Sequence, residues 1–364
     1  MTAPATGRTP HLAELHRELG GRLEERPTAS GSALVPVEYG SVPDEVELLR
    51  EECCLADRCW VDVLEISGAD RERFLSGMVT CEVRELGPAG GTFGFVTTRK
   101  GGVLTDFALL SLEERFLLEL PAGRAQALSD HLGGYILADR VAPKVATDLA
   151  PLLVAGPEAK HLLRNLLGGA LPAGAELRWG HGPAEIESVP VRVANRPLLG
   201  VDAWTVWVAT EGAEAVARAL LDAGAHPAGY DALETVRIEA GIPLWGPDYD
   251  ESNLPQEAGL DEGLNFTKGC YLGQEVVARI HYRGGVNRRI VGIEIDGDEP
   301  PATGTELLLD GKVVGRVGSV ALSPNLEGPI GLAMVHKKAA EPGTRLQVAG
   351  DGGEVEVEEL PFVE

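Results

Sequence analysis

The stretch Lys268-Gly269-Cys270-Tyr271-Leu272-Gly273-Gln274-Glu275, continued by Val276-Val277-Ala278-Arg279, is the most chemically unusual part of the chain. Two glycines four positions apart mark a tight backbone leading into a helix or strand. With a helix starting near Gly273, Cys270 lies close to its positive end, and Lys268 adds a cation two residues away. Both lower a thiol's pKa and favour the reactive thiolate. The competing reading is a buried, inert cysteine beside a lysine that snorkels to the surface. The residues alone do not separate the two.

Working outward, Arg279, Arg283, Arg288 and Arg289 fall between Val276 and Ile293 with one histidine and no acid. Guanidinium forks suit carboxylates and phosphates. A solvated strand edge, where cations discourage pairing, is the equal alternative. The island stands out because the 364-residue chain carries 32 Lys and Arg against 56 Asp and Glu, a formal charge of −24. Such a surface repels phosphate backbones and anionic lipids, which argues against a non-specific nucleic-acid binder. Hydrophobic residues at 44% exclude general disorder, and aromatics at 5% leave the core to Ala, Val and Leu. No apolar run approaches the ~18 residues that span a bilayer. His11, Glu14, His16, Arg17 and Glu18 interrupt the N-terminus where a secretory signal would be apolar. Five cysteines, an odd and small number, fit a reducing cytoplasm. Cys53, Cys54 and Cys59 lack zinc-ribbon spacing and Cys81 ends an apolar helix, so all four are expected in the core and no metal site is expected.

Residues 1–45, rich in Pro, Gly, Thr and charge, read as a loosely attached arm with a short helix over His11–Leu23. From 46 to 289 the pattern is that of an α+β body. Cys59–Ile66 reads as a strand, and Gly68 and Asp70 open a helix with Phe74, Leu75, Met78 and Val79 on one face. The same unit recurs 88 residues later at Leu152, Val154, Gly156, Glu158, Leu162, Leu163, Leu166 and Leu167. Duplication and coincidence between common strand–turn–helix units explain it equally well. Thr92–Thr97, Val103–Leu110, Arg115–Leu120, Val189–Val193 and Trp204–Ala209 read as strands; Glu214–Ala223 and Ala232–Ala240 read as helices. From 290 to 364 short Val- and Leu-rich runs split by Gly, Pro and Asp indicate a small β-barrel. Within the body, Asp106 lies in the apolar strand Val103–Leu110. It either has a partner or a task, such as accepting hydrogen bonds from an amine-bearing heterocycle, or marks the strand's outward face.

These stretches together resemble the folate-binding family that includes the glycine-cleavage T-protein, an aminomethyltransferase. Within it the chain is most similar to the YgfZ-type branch, linked to iron–sulfur cluster assembly or repair and through it to tRNA modification. That branch's signature, K-G-C-[FY]-x-G-Q-E, is matched at every position of Lys268–Glu275. Leu55-Ala56-Asp57-Arg58, Ile66–Asp70, Arg237–Pro243, Glu257–Leu260 and Ser323-Pro324-Asn325 extend the likeness, while residues 1–45 lie outside it. The resemblance implies three domains around a central channel, a C-terminal barrel, and tetrahydrofolate or a derivative held in the middle. It places Asp106 opposite the reactive folate nitrogen and Arg237 and Trp245 in the folate pocket. The glutamate that holds the pterin in the T-protein is Val201 here. Cys270, tuned by Lys268, becomes the candidate working residue, with Gly269, Tyr271, Gly273, Gln274 and Glu275 shaping its loop. Iron–sulfur client or assembly proteins are the implied partners. The arginine island is expected to bind an anionic chain, a folate polyglutamate tail before tRNA. Aminomethyl transfer and direct tRNA binding are the alternative functions.

Overall fold

A computed structural model describes residues 10–197, 199–350 and 353–363, and leaves the side chain of Arg283 undescribed. The chain opens with α1 (Ala13–Glu18), a hairpin of β1 (Arg22–Thr28) and β2 (Gly31–Glu38), and α2 (Val42–Glu51), whose first turn is capped by Ser41. Residues 10–45 of the expected loose arm are thus packed against the body, and residues 1–9 lie outside the described residues. Ala33, Val35 and Val37 alternate inward along β2 and are buried, while Leu12 and Leu15 join a core cluster. The buried His16 places Nε2 2.9 Å from Asp57 Oδ2, and the Tyr39 hydroxyl meets its Nδ1 at 2.7 Å. The alternation was hidden by the charged partner strand, Arg22-Leu23-Glu24-Glu25-Arg26.

Next come β3 (Cys54–Asp57), β4 (Val61–Ser67), α3 (Arg71–Ser76), a meander of β5 (Gly91–Thr97), β6 (Val103–Ser111) and β7 (Arg115–Pro121), and α4 (Ala125–Gly133). A second series follows: β8 (Ala142–Ala146), β9 (Leu149–Ala155), α5 (Ala159–Leu166), a meander of β10 (His181–Ile186), β11 (Val189–Asn195) and β12 (Ala203–Ala209), α6 (Ala213–Asp222), the two-residue β13 (His226–Pro227) and α7 (Tyr230–Glu239). The two sheets have the orders β5-β6-β7-β4-β8 and β10-β11-β12-β9-β3-β13. Apart from β13 the orders coincide, and each series lends its leading strand to the other's sheet: β3 pairs with β9, and β8 with β4. The recurring glycines sit at this exchange. Gly68 (φ 107) leaves 2.1 Å between a would-be Cβ and Arg140 O; Gly156 (φ 114) leaves 2.3 Å to Glu52 O. Only glycine fits such positions. Asp70 stands at the N-cap of α3, as expected, and its carboxylate also accepts from Arg140 N at 2.8 Å and from its guanidinium.

After α8 (Gln274–Arg283), six strands close a barrel: β14 (Arg288–Ile295), β15 (Glu306–Leu309), β16 (Lys312–Ser323), β17 (Gly328–His336), β18 (Arg345–Val348) and β19 (Glu354–Glu358). The fold is α+β with a C-terminal barrel. The expected boundary after residue 289 falls inside β14, so Arg288 and Arg289 belong to the barrel. Among the described residues no helix is long and apolar enough to cross a membrane.

Candidate functional site

The N-terminal hairpin, strands of both sheets, α7 and β16 surround a cavity of about 920 Å³. Asp106, Arg237 and Trp245, brought to a folate pocket by resemblance, all line it. Asp106 is buried on β6 and accepts a short hydrogen bond from the Tyr249 hydroxyl. Burial pushes its carboxyl up to about 6, against the opposing pull of the Tyr249 hydrogen bond and the Arg196 charge. An acid poised there exchanges protons near neutral pH. The outward-face alternative for Asp106 is thereby excluded.

Arg237 lines the cavity differently from expectation. Its Nε and Nη2 donate to Glu234 at 3.0 and 2.7 Å, Nη1 to Ile242 O and to Asp248 Oδ2 at 3.1 Å, and Nη2 also to Ser319 Oγ at 2.7 Å. A guanidinium has five N–H donors, and all five are engaged within the protein. Arg237 therefore ties α7 to the barrel and shapes the wall rather than reaching for a ligand. Trp245 presents its ring under the Arg124 guanidinium, 4.3 Å away, and donates Nε1–H to Val103 O at 3.3 Å.

Sequence reasoning missed a cluster of charged residues on the cavity wall, made by Glu119, Arg58 and Arg196. Glu119 lies on β7, directly across from Ala108 on β6, hence on the same sheet face as Asp106. Arg58, after β3, places Nη1 2.6 Å from Glu119 Oε1; Arg196, after β11, places Nη2 2.9 Å from the same oxygen. Burial raises the Glu119 carboxyl, but Arg196 and Arg58 together hold it below its ordinary value. The signal existed: Glu119 is an acid inside the apolar run Arg115–Leu120, as Asp106 is inside its own. Val201 does not line this cavity; it borders a separate pocket of about 310 Å³ with Asp202, Glu176 and Arg178.

The 268–275 stretch lies away from the cavity lining. Gly273 (φ 84) precedes α8, and a Cβ there would sit 2.4 Å from Thr98 O. Cys270 is exposed just before this helix. The buried Nζ of Lys268 donates to Val79 O at 2.8 Å and Cys81 O at 2.5 Å, so the side chain staples the loop to the first half of the body. Tyr271 packs beneath Lys268, with Nζ 5.5 Å from its ring. Gln274 is half-buried and Glu275 exposed in the first turn of α8; Gly269 has open space around it, and nothing in the structure requires glycine there.

The arginine island is also dispersed. Arg279 is exposed on α8, whereas Arg288 pairs with Glu257 at 2.9 Å and donates to Ser252 O. Arg289 donates to Ala340 O at 2.5 Å. Arg288 and Arg289 are thus engaged within the protein, and the side chain of Arg283 lies outside the described residues.

Residues 12–268 match the GCVT N-terminal domain, and residues 288–364 match the Glycine cleavage T-protein C-terminal barrel domain. The first match takes in residues that the sequence resemblance had left outside. The chain is 30% identical to an aminomethyltransferase of Streptomyces avermitilis over 96% of each chain. It is 31% identical to an aminomethyltransferase of Rubrobacter xylanophilus, over 92% of this chain and 89% of the relative. It superposes on the crystal structure of glycine cleavage system aminomethyltransferase T from Bartonella henselae with a TM-score of 0.86, 25% identity and 99% coverage of both chains.

Proposed function

The chain belongs to the glycine cleavage T-protein family, and from that premise we propose that it binds a reduced folate in the central cavity and acts as a folate-dependent transferase of the aminomethyl type. The observation that carries this reading is Asp106, a carboxyl poised at about 6 on the cavity wall. Tetrahydrofolate supplies a ring nitrogen that carries the one-carbon unit; Asp106 gives or takes the proton there. Phe93 and Trp245 offer apolar ring surface, and Arg237 holds the wall in place.

The test is a calorimetric titration with tetrahydrofolate paired with an assay of aminomethyl transfer from a lipoyl carrier. Binding is expected, with a transfer rate that titrates near pH 6. Asp106→Asn should abolish that titration and lower kcat more than it raises KM. No binding by the wild type overturns the reading.

A second reading is a YgfZ-type accessory role in the assembly or repair of iron–sulfur proteins. It is favoured by Cys270, exposed ahead of α8 in a stretch that matches that branch's signature. Val201, in place of the pterin-holding glutamate, weighs the same way. Cys270→Ala separates the two. The transferase reading expects unchanged folate binding and transfer, whereas the accessory reading expects a strain with failing iron–sulfur enzymes. A tRNA titration across salt concentrations tests direct nucleic-acid binding, which would show a steep negative slope.

A further inference from the structure

One row of side chains crosses the first sheet on its cavity face: Phe93 on β5, Ala108 on β6 and Glu119 on β7. It sets an aromatic ring and a carboxylate on either side of a small residue, a slot suited to a flat heterocycle. At the carboxylate end, Arg58 and Arg196 reach across from the second sheet, and both close contacts fall on Glu119 Oε1. A carboxylate offers about four acceptor positions, so Oε2 remains for a ligand. Arg58 Nη1 and Glu119 Oε1 meet each other at 2.6 Å, whereas Arg196 Nη1 is buried with no hydrogen-bond partner. Buried polar atoms in that state point to a missing partner. Glu119 itself is only 7% exposed.

We propose that Glu119 is the ligand-reading carboxylate of the cavity, accepting two N–H bonds from the amino–amide edge of a heterocycle while Arg196 donates to the carbonyl oxygen of that edge. The inference rests on the folate reading, whose pterin ring carries such an edge, and assigns the anchor to β7 rather than to position 201. The guanidiniums keep the carboxylate ionised, and an ionised acceptor forms the stronger hydrogen bonds. Asp106, on the same face, is left free for proton exchange.

The test titrates the full chain with tetrahydrofolate and with its counterpart lacking the 2-amino group. Wild type should bind the 2-desamino compound about tenfold or more weakly, as befits loss of a hydrogen bond to a buried charge. Glu119→Gln should weaken the parent compound by a similar factor and bind both compounds alike. Glu119→Asp should recover the preference in part, and Asp106→Asn should keep it. Melting curves record whether each variant folds; if the Gln variant does not, the Asp variant decides, and unchanged affinity there overturns the proposal. Preference retained in Glu119→Gln, or absent in wild type, overturns this inference and leaves the folate reading standing. Failure of wild type to bind either compound overturns both.

Discussion

At the scale of single residues, burial decides which charges matter. Asp106 and Glu119 lie on neighbouring strands and one face, yet their carboxyls move in opposite directions. Glu119 has two guanidiniums at its oxygen, while Asp106 has chiefly a phenol. With its carboxyl at about 6 in the folded chain and ~3.9 when unfolded, Asp106 holds its proton longer in the folded state. Its contribution to stability is full below about pH 4 and is lost as pH rises through about 6. Asp106→Asn, which still accepts from Tyr249, should therefore match wild type at pH 4. It should exceed wild type by about 2–3 kcal/mol from pH 7 upward. Thermal melts of the two proteins between pH 4 and 8 check this; a constant difference across the range contradicts it. Asp106 was legible in the sequence because an acid in an apolar strand asks for an explanation. The anchorage of Lys268 was not legible because sequence distance says nothing of where a long flexible stem ends, and two carbonyls at Val79 and Cys81 are its partners.

At the scale of elements, period-two and helical patterns marked the strands over 92–97, 103–110, 115–120, 189–193 and 204–209 and the helices over 214–223 and 232–240 to within two residues of their ends. The failures have physical causes. In the hairpin β1–β2, charge on one strand masked alternation on the other. In β19, Glu354-Val355-Glu356-Val357-Glu358 has only two apolar residues, although Val355 and Val357 are fully buried in the barrel. The cavity wall drew on β7 and on loops after β3 and β11, which no local motif connects. The 268–275 loop was legible as a helix entrance, and its two glycines now separate in role. Gly273→Ala puts a side chain at positive φ against Thr98 O and should cost about 1–3 kcal/mol. Gly269→Ala meets open space and should fall within about 0.5 kcal/mol of wild type. Urea unfolding of both variants distinguishes them; equal losses would mean that the loop's strain is not localised at Gly273.

At the scale of the whole molecule, the strand exchange explains why sequence periodicity suggested two units while the body forms one cavity. A cut in the exposed segment before β8 divides the chain between the two series, and Leu137 there is 93% exposed. The N-terminal fragment keeps β3, a strand of the second sheet; the C-terminal fragment keeps β8, a strand of the first. Arg196 reaches Glu119 across the cut, while Arg58 reaches it from Glu119's own side. Backbone ladders thus bridge the break in both directions and the Arg196–Glu119 ion pair crosses it, and separating the fragments would expose sheet edges and strip the Arg196 guanidinium of its carboxylate, each costly. Limited chymotrypsin cleavage near Tyr135 or Leu137 should therefore yield two fragments that co-elute in gel filtration and melt in one transition. The nicked protein should bind the cavity ligand as the intact chain does, because the cavity wall is held by contacts across the cut. Fragments that elute separately, each with its own transition, would show that the two series fold as independent units and that the exchange of β3 and β8 is not what holds the body together.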